Sequence, residues 1–153
     1  MNNLPRGLKV NNPGNIRNTP KKWEGEIRPS RDHSFKTFES IEYGYRAVFM
    51  LLNNYQRLKG KNTIAEMIDL YAPPEDGNRT DLYIQHVSEW SGIPSDLYID
   101  TDEKETMIRI VMSMSRQEQG IKADVEQVKR GWDLYVTIKK RQQDEKLRRN
   151  KRS

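Results

Sequence analysis

With 153 residues the chain is long enough to bury one core, while 34% hydrophobic residues and a mean hydropathy of −0.98 exclude a membrane-embedded protein. The absence of cysteine excludes a disulfide framework and thiolate chemistry. The net charge of +5 is concentrated in residues 139–153, where eight Lys and Arg residues outnumber Asp144 and Glu145, which leaves residues 1–138 at −1. The body therefore carries no positive excess that would follow a phosphate backbone.

The first 38 residues predict a loop followed by a hairpin. Residues 7–20 are dense in Asn, Pro and Gly, which is typical of an ordered loop with tight turns. Its amide side chains either close turns on their own backbone or face the hydroxyl and acetamido groups of a sugar. Residues 23–38 predict two short strands about a turn, with alternating faces. One face would carry Trp23, Gly25 and Ile27, and the other Glu24, Glu26 and Arg28.

Capping residues and a 3.6-residue apolar period predict five helices in the remainder of the chain. They run from Ser40 to about Lys59, from Thr63 to Pro73, from about Thr80 to Gly92, from Asp100 to Gly120, and from Asp124 into the polar segment at Lys139. In the last helix we expect the apolar residues Val125, Val128, Trp132, Tyr135 and Val136 to face inward. The fold class is therefore mainly α (α+β), with one small β-hairpin.

The fourth predicted helix ends in a carboxyl group that continues its buried stripe. Glu118 follows Met107, Ile108, Val111, Met114 and Ser115 at helical spacing. Desolvation and the negative end of the helix dipole both raise the pKa of a carboxyl group in this position. A carboxylic acid that stays protonated near neutral pH is what glycoside cleavage needs for its leaving-group oxygen. The alternative is that the last turn rolls outward and leaves Glu118 solvated.

Several motifs together resemble phage virion-associated lysozyme-like proteins of the "NNPGNIR" type. The resemblance covers about residues 6–120. Its most specific motif is Asn11-Asn-Pro-Gly-Asn-Ile-Arg17. The others are Trp23 with Gly25, Phe35 with Phe38, Tyr43-Gly-Tyr-Arg-Ala47, Ala72-Pro-Pro-Glu75, Asn78 with Thr80 and Tyr83-Ile84, and Glu118-Gln-Gly120.

A weaker similarity relates the chain to flagellar-type and autolysin-type N-acetylglucosaminidases, which have a lysozyme-like fold. Their Asn-Asn loop, Trp-x-Gly strand and tyrosine segment occur here in the same order, but the Glu-containing helix end comes last, as in a circularly permuted domain. The resemblance implies that Glu118 is the general acid and that Tyr83 matches the tyrosine of that segment. It departs from the pattern at Gln119, where those enzymes have Ser.

The same resemblance implies a second carboxylate in the hairpin, with Glu26 as the first choice and Asp32 as the second. Retaining and inverting hydrolases need such a pair, whereas a lytic transglycosylase needs only the acid/base Glu. The implied substrate-binding residues are Asn12, Asn15, Arg17, Trp23, Thr80 and Tyr83. For Trp23, stacking on a sugar and anchoring the hairpin are equal alternatives, and the periodicity of Tyr83 by itself indicates a core position.

The favoured hypothesis is a peptidoglycan-cleaving glycosidase, of muramidase, glucosaminidase or lytic transglycosylase type, without cofactor or metal. We expect residues 1–138 to form a lysozyme-like domain and residues 139–153 a basic, frayed or disordered tail. The expected partners are a peptidoglycan glycan strand and phage virion proteins, with no specific nucleic acid and no membrane span. Without a recognisable signal peptide, synthesis is expected in the cytoplasm and action at the cell wall or in a phage particle.

Two alternatives to this enzyme stay open. One is a phage structural or glycan-binding protein that keeps a lysozyme-like scaffold without turnover. The other is nucleic-acid binding through the basic tail, which could equally attract an acidic cell-wall polymer or aid solubility.

Overall fold

The computed structural model describes residues 3–152 and contains five α-helices and one two-stranded antiparallel sheet in that part of the chain. The mainly α prediction is confirmed. The elements are β1 (Glu26–Ile27), β2 (Thr37–Phe38), α1 (Ile41–Lys59), α2 (Ile64–Tyr71), α3 (Thr80–Ser91), α4 (Lys104–Gln119) and α5 (Val125–Lys151). Short 3₁₀ turns lie at Leu8–Val10 and Pro74–Asp76. None of the helices described has the length and apolar character needed to cross a bilayer.

Helix α1 is the centre of the fold and packs chiefly along α5, while α4 packs against α3. An aromatic cluster joins α1 to α5: the ring of Phe49 lies 5.1 Å from Trp132 in an edge-to-face arrangement and 6.0 Å from Tyr135. Gly131 allows this approach, because a Cβ there would lie 2.5 Å from the Cβ of Tyr45. The core therefore lies between helices, and the hairpin is attached at one end of α1.

The predicted starts of α1, α2, α3 and α5 agree with the structure, whereas the start of α4 differs. Ser40, Thr63 and Asp124 accept hydrogen bonds from backbone N–H groups of the first turns of α1, α2 and α5. Asp100 was predicted to cap α4, but the cap is Glu103, whose carboxylate accepts from Glu105 and Thr106. The stripe of α4 that leads to Glu118 is buried as predicted: Met107, Ile108, Val111, Met114 and Ser115 are at most 4% exposed.

The hairpin buries a carboxylate on the face that carries Glu24, Glu26 and Arg28. Glu26 is only 5% exposed, whereas its neighbour Ile27 is half-buried. The reason is a polar cluster: the Glu26 carboxylate accepts from the backbone N–H of Trp23 and from the ammonium group of Lys36, which is itself fully buried. A buried ion pair therefore places a charged residue inside the hairpin, where alternation along the strand does not indicate one.

Helix α5 continues through the basic segment and contacts the body. Lys139 binds the carboxylate of Asp102 at 2.8 Å, and Arg141 binds Glu24 in the hairpin. Residues 139–151 are therefore helical in the structure, while the domain division at 138/139 stays a prediction. Val125 and Val136, which were expected to face inward, are 39% and 47% exposed. The buried stripe runs instead through Val128, Gly131, Trp132, Tyr135 and Ile138.

Candidate active site

The C-terminal end of α4 is fastened to the Asn-rich loop by Gln119. Its side-chain amide, 7% exposed, donates to the backbone oxygen of Pro13 at 3.0 Å and to Oδ1 of Asn15 at 2.9 Å. Gly120 then ends the helix with φ of 76°. Gly7 allows the close approach, because a Cβ there would lie 2.4 Å from Nε2 of Gln119 and 2.1 Å from Oδ1 of Asn15. The loop and the helix end therefore form one rigid unit.

Asn15 places its amide on the carboxyl group of Glu118. Its Nδ2 donates to Oε1 of Glu118 at 2.9 Å, and its backbone adopts the left-handed region with φ of 50°. Asparagine tolerates this conformation better than most residues with a side chain. With its Oδ1 accepting from Gln119 and its Nδ2 donating to Glu118, the Asn15 side chain has a fixed orientation.

Glu118 is half-buried and its pKa is raised. Burial causes the rise, while donation from Asn15, the nearby Tyr83 hydroxyl and the charge of Arg17 offset part of it. The prediction of a desolvated carboxyl group at the helix end therefore agrees with the geometry, and the solvated alternative does not. A carboxyl group with a raised pKa holds its proton closer to neutral pH.

Two tyrosines, Tyr71 and Tyr83, are neighbours of this carboxyl group. The Tyr83 hydroxyl is buried and makes no hydrogen bond of regular geometry within residues 3–152. Burial and the neighbouring Glu118 hold its pKa well above the usual range, so it stays a neutral donor. Tyr71 donates to the backbone oxygen of Gly14, and burial together with Glu118 also raises its pKa well above the usual range. The buried hydroxyl of Tyr83 thus lies next to the Glu118 carboxyl group, on the side of the protein core.

Glu118 opens into a cleft of about 360 Å³ between the loop, the start of the hairpin and the end of α2. This volume lies in the range of small-ligand sites. Exposed Arg17 and half-buried Trp23 line the cleft, and so do Tyr55 and Tyr71. The far wall contains Pro73, Asp76 and Asn78. The arrangement combines one half-buried acidic group, aromatic faces and amide donors, which suits a polar, ring-shaped ligand.

The two predicted partner carboxylates lie outside this cleft. Glu26 lines two other depressions and is held by Lys36 and Arg28 at 2.9 and 3.0 Å. Asp32 is bound bidentately by Arg6 and accepts from the backbone of the following turn, which lowers its pKa strongly. Both carboxylates are therefore ionised and engaged in the fold. Apart from Glu118, the cleft holds the carboxyl group of Asp76 alone among the described residues, and it is exposed.

Three predicted substrate-binding residues lie where a substrate does not reach. Asn12 is fully buried, and its amide donates to Ile16 and Lys36 backbone oxygens and accepts from the Ile16 N–H. The turn-closing alternative therefore describes Asn12. Thr80 is 6% exposed and donates to the backbone oxygen of Ala72. Tyr83 is 4% exposed, and its buried hydroxyl lies near Glu118. The structure does bring together Asn15, Arg17, Trp23 and Glu118.

Sequence reasoning missed three residues of the site. Tyr55 and Tyr71 follow the apolar period of α1 and α2, which by itself indicates core positions. Their rings do pack against the core, but they also line the cleft. Gln119 was noted only as a departure from an enzyme pattern. The sequence did place a polar side chain next to Glu118 at the end of α4, and in the structure this side chain contacts the loop.

No protein-family model matches the sequence. The chain is similar to protein P5 of Pseudoalteromonas phage PM2, with 31% identity over 140 residues. The alignment covers 88% of this chain and 86% of the relative, so the two proteins correspond over nearly their whole length.

Proposed function

The chain belongs to the family of protein P5 of Pseudoalteromonas phage PM2, and we propose that it is a phage-encoded, peptidoglycan-cleaving glycosidase that uses Glu118 as general acid and base. The observation that carries the proposal is the half-buried carboxyl group of Glu118, with a raised pKa, at a cleft lined by aromatic and amide groups. The motifs shared with lysozyme-like phage proteins support the same assignment. The site of action would be the bacterial cell wall or the phage particle.

The absence of a second buried carboxylate among the described residues of this cleft favours the lytic transglycosylase type. Protonated Glu118 donates its proton to the glycosidic oxygen, and the bond between that oxygen and C1 of the muramic acid breaks. The Glu118 carboxylate then accepts the proton of the C6 hydroxyl of the same sugar, whose oxygen bonds to C1. The product is a 1,6-anhydro sugar, and Glu118 is protonated again.

The neighbours of Glu118 have separate roles in this proposal. Asn15 and Tyr83 are positioning residues, since Asn15 donates to the carboxyl group and the buried Tyr83 hydroxyl lies next to it. Arg17 stabilises the carboxylate form that appears after proton transfer, because its positive charge lowers the pKa of Glu118. Trp23 and Tyr55 offer faces on which a sugar ring can stack.

The test is digestion of purified peptidoglycan sacculi followed by mass spectrometry of the released fragments. The wild type should release anhydro-muropeptides, and Glu118→Gln should release none while keeping or raising its melting temperature. Glu105→Gln, an exposed glutamate in the first turn of the same helix, is the matched control and should be fully active. Full activity of Glu118→Gln would remove Glu118 from the mechanism. Hydrolysed rather than anhydro products would refute the transglycosylase type.

A second candidate is a non-catalytic phage structural or glycan-binding protein on the same scaffold. It is favoured by the fact that Glu26 and Asp32, the carboxylates expected to assist Glu118, are occupied by ion pairs elsewhere. This candidate predicts that the wild type and Glu118→Gln bind sacculi equally and that neither generates new reducing ends or anhydro sugars.

A further inference from the structure

A second and larger groove of about 690 Å³ lies between the start of the hairpin, α1 and the C-terminal half of α5. Trp23 lines both this groove and the Glu118 cleft. Its walls are rich in cations and amides rather than in apolar side chains. They include Lys21 and Lys22 before the hairpin, Asn53, Asn54 and Arg57 on α1, and Gln142, Gln143 and Lys146 on α5. We name it the Arg46 groove after the arginine described next.

Arg46 lines this groove as a buried cation without an anion. Its residue is 3% exposed, and its Nε has no hydrogen-bond partner among residues 3–152. Its guanidinium carbon lies 6.0 Å from the centre of the Trp23 ring, which is the outer limit of a cation–π contact. Glu24 is an electrostatic neighbour, but the carboxylate of Glu24 is bound by Arg141. Burial lowers the pKa of Arg46, as expected for a desolvated cation.

The other charges of the groove do not neutralise this cation. Within the described part of the chain, Lys21, Lys22, Arg57 and Lys146 take part in no ion pair. Of the lining carboxylates, those of Glu24 and Glu26 are used by Arg141, Lys36 and Arg28. Only Glu39, which is exposed, lines the groove as an unpaired carboxylate. The groove therefore holds a local positive excess.

The sequence does not indicate this positive excess, because residues 1–138 have a net charge of −1. Five unpaired cations nevertheless line the groove, and four of them come from residues 1–138: Lys21, Lys22, Arg46 and Arg57. Helix α5 brings Lys146 to the same groove. An uncompensated buried charge opposes folding, so a fold keeps it chiefly where a ligand completes the pair.

We propose that the Arg46 groove binds the phosphate groups of a flexible phosphodiester chain, of the kind found in single-stranded nucleic acid. Arg46 contacts one phosphate at the buried end of the groove, where its planar guanidinium group can donate two parallel hydrogen bonds. The Lys and Arg side chains of the walls contact neighbouring phosphates. The half-buried ring of Trp23 at the edge lies where an unpaired base can stack. The flat surface of a membrane does not reach a buried cation in a concave site.

The first test measures binding of a fluorescent oligo(dT) 12-mer to the full chain at several NaCl concentrations. For single strands the slope of log K against log [NaCl] changes by about 0.7 for each phosphate contact. Lys146→Gln should therefore make the slope shallower by about 0.7. Lys140→Gln removes an exposed lysine of the same helix that does not line the groove, and it should leave the slope unchanged. Equal effects of the two substitutions would overturn the proposal.

The second test separates ligand binding from a structural role of Arg46. Arg46→Met should weaken oligo(dT) binding by about 30-fold or more, since it removes one partner of a buried charge pair. It should keep or raise the melting temperature of the free protein, because it removes a desolvated charge. A lowered melting temperature with unchanged binding would show that Arg46 serves the fold alone. Preferential binding to vesicles of phosphatidylglycerol, with no binding of oligo(dT), would also overturn the proposal.

Discussion

Replacement of Lys36 by Met tests whether Glu26 serves the fold or the chemistry. Lys36 is fully buried, and its ammonium group donates to Glu26 at 2.9 Å and to the backbone oxygen of Lys21 at 2.9 Å. Removal of one partner from a buried ion pair typically costs about 3–5 kcal/mol. Because Arg28 and the N–H of Trp23 still contact the carboxylate, we expect the lower end, about 3 kcal/mol. For a chain of this size that corresponds to a fall in melting temperature of about 6–12 °C.

The assay is urea denaturation of the wild type, Lys36→Met, Glu26→Gln and the double variant. The double variant should lose less than the sum of the single losses, by about 1–3 kcal/mol, since the two groups contact each other. The pKa of Glu26 is lowered: burial raises it, but the bonds from Lys36, Trp23 and Arg28 outweigh burial. Its stabilisation is therefore present above the ordinary pKa of 4.5 and is lost as the pH falls through the lower folded value. The difference between wild type and Glu26→Gln should shrink accordingly in acid.

Two results would refute this reasoning. The first is a loss of stability in Lys36→Met no larger than that in Lys122→Met. Lys122 is exposed, and its replacement should change the free energy of unfolding by no more than about 0.5 kcal/mol. Alternatively, Glu26→Gln could keep the stability of the wild type and lose peptidoglycan cleavage. That second result would return Glu26 to the role of catalytic partner.

Three further predictions concern the helix end and its loop. Gln119→Ala should lower the free energy of unfolding by about 2 kcal/mol in urea denaturation, because the backbone oxygen of Pro13 and Oδ1 of Asn15 lose their hydrogen-bond donor. It should also slow cleavage, because Asn15 is no longer held in place. Unchanged stability would contradict the described contacts. In thermal denaturation, the melting temperature of Glu118→Gln should rise relative to that of the wild type as the pH increases above 4.5. The reason is that the wild-type fold loses stability when a carboxyl group whose pKa is raised in the folded state ionises. A difference in melting temperature that does not depend on pH would refute the raised pKa. Gly44→Ala should destabilise by about 3 kcal/mol in the same denaturation assay, because its Cβ would lie 2.1 Å from the backbone oxygen of Asn11; a wild-type melting curve would contradict this packing.

The helices were predictable because their signals are local. The caps Ser40 and Thr63, the terminal Gly60, and the apolar period of α1 and α2 lie within a few residues of the elements that they define. The burial that raises the pKa of Glu118 was also predictable, since its stripe on α4 is continuous with the core. A capping residue was misassigned at α4, where Asp100 and Glu103 compete within one turn.

The hairpin itself was predictable, but the burial of Glu26 within it was not, because long-range polar contacts decided it. Nothing in alternation along residues 23–28 indicates that Lys36 is fully buried and draws Glu26 inward. Likewise the roles of Asn12 and Asn15, three residues apart in one motif, differ because one amide points into the loop and the other meets α4.

The amino-acid sequence by itself determined the mainly helical architecture, most of the helix starts and the acidic group at the end of α4, because propensity, capping and periodicity act over a few residues. The tertiary structure decided which side chains surround that group. Asn15 and Glu118 are 103 residues apart, and Arg46 meets Lys21, Lys22 and Lys146 only where α1, α5 and the hairpin converge. Contacts of this kind depend on how whole elements pack against one another, and no local pattern in the chain encodes them.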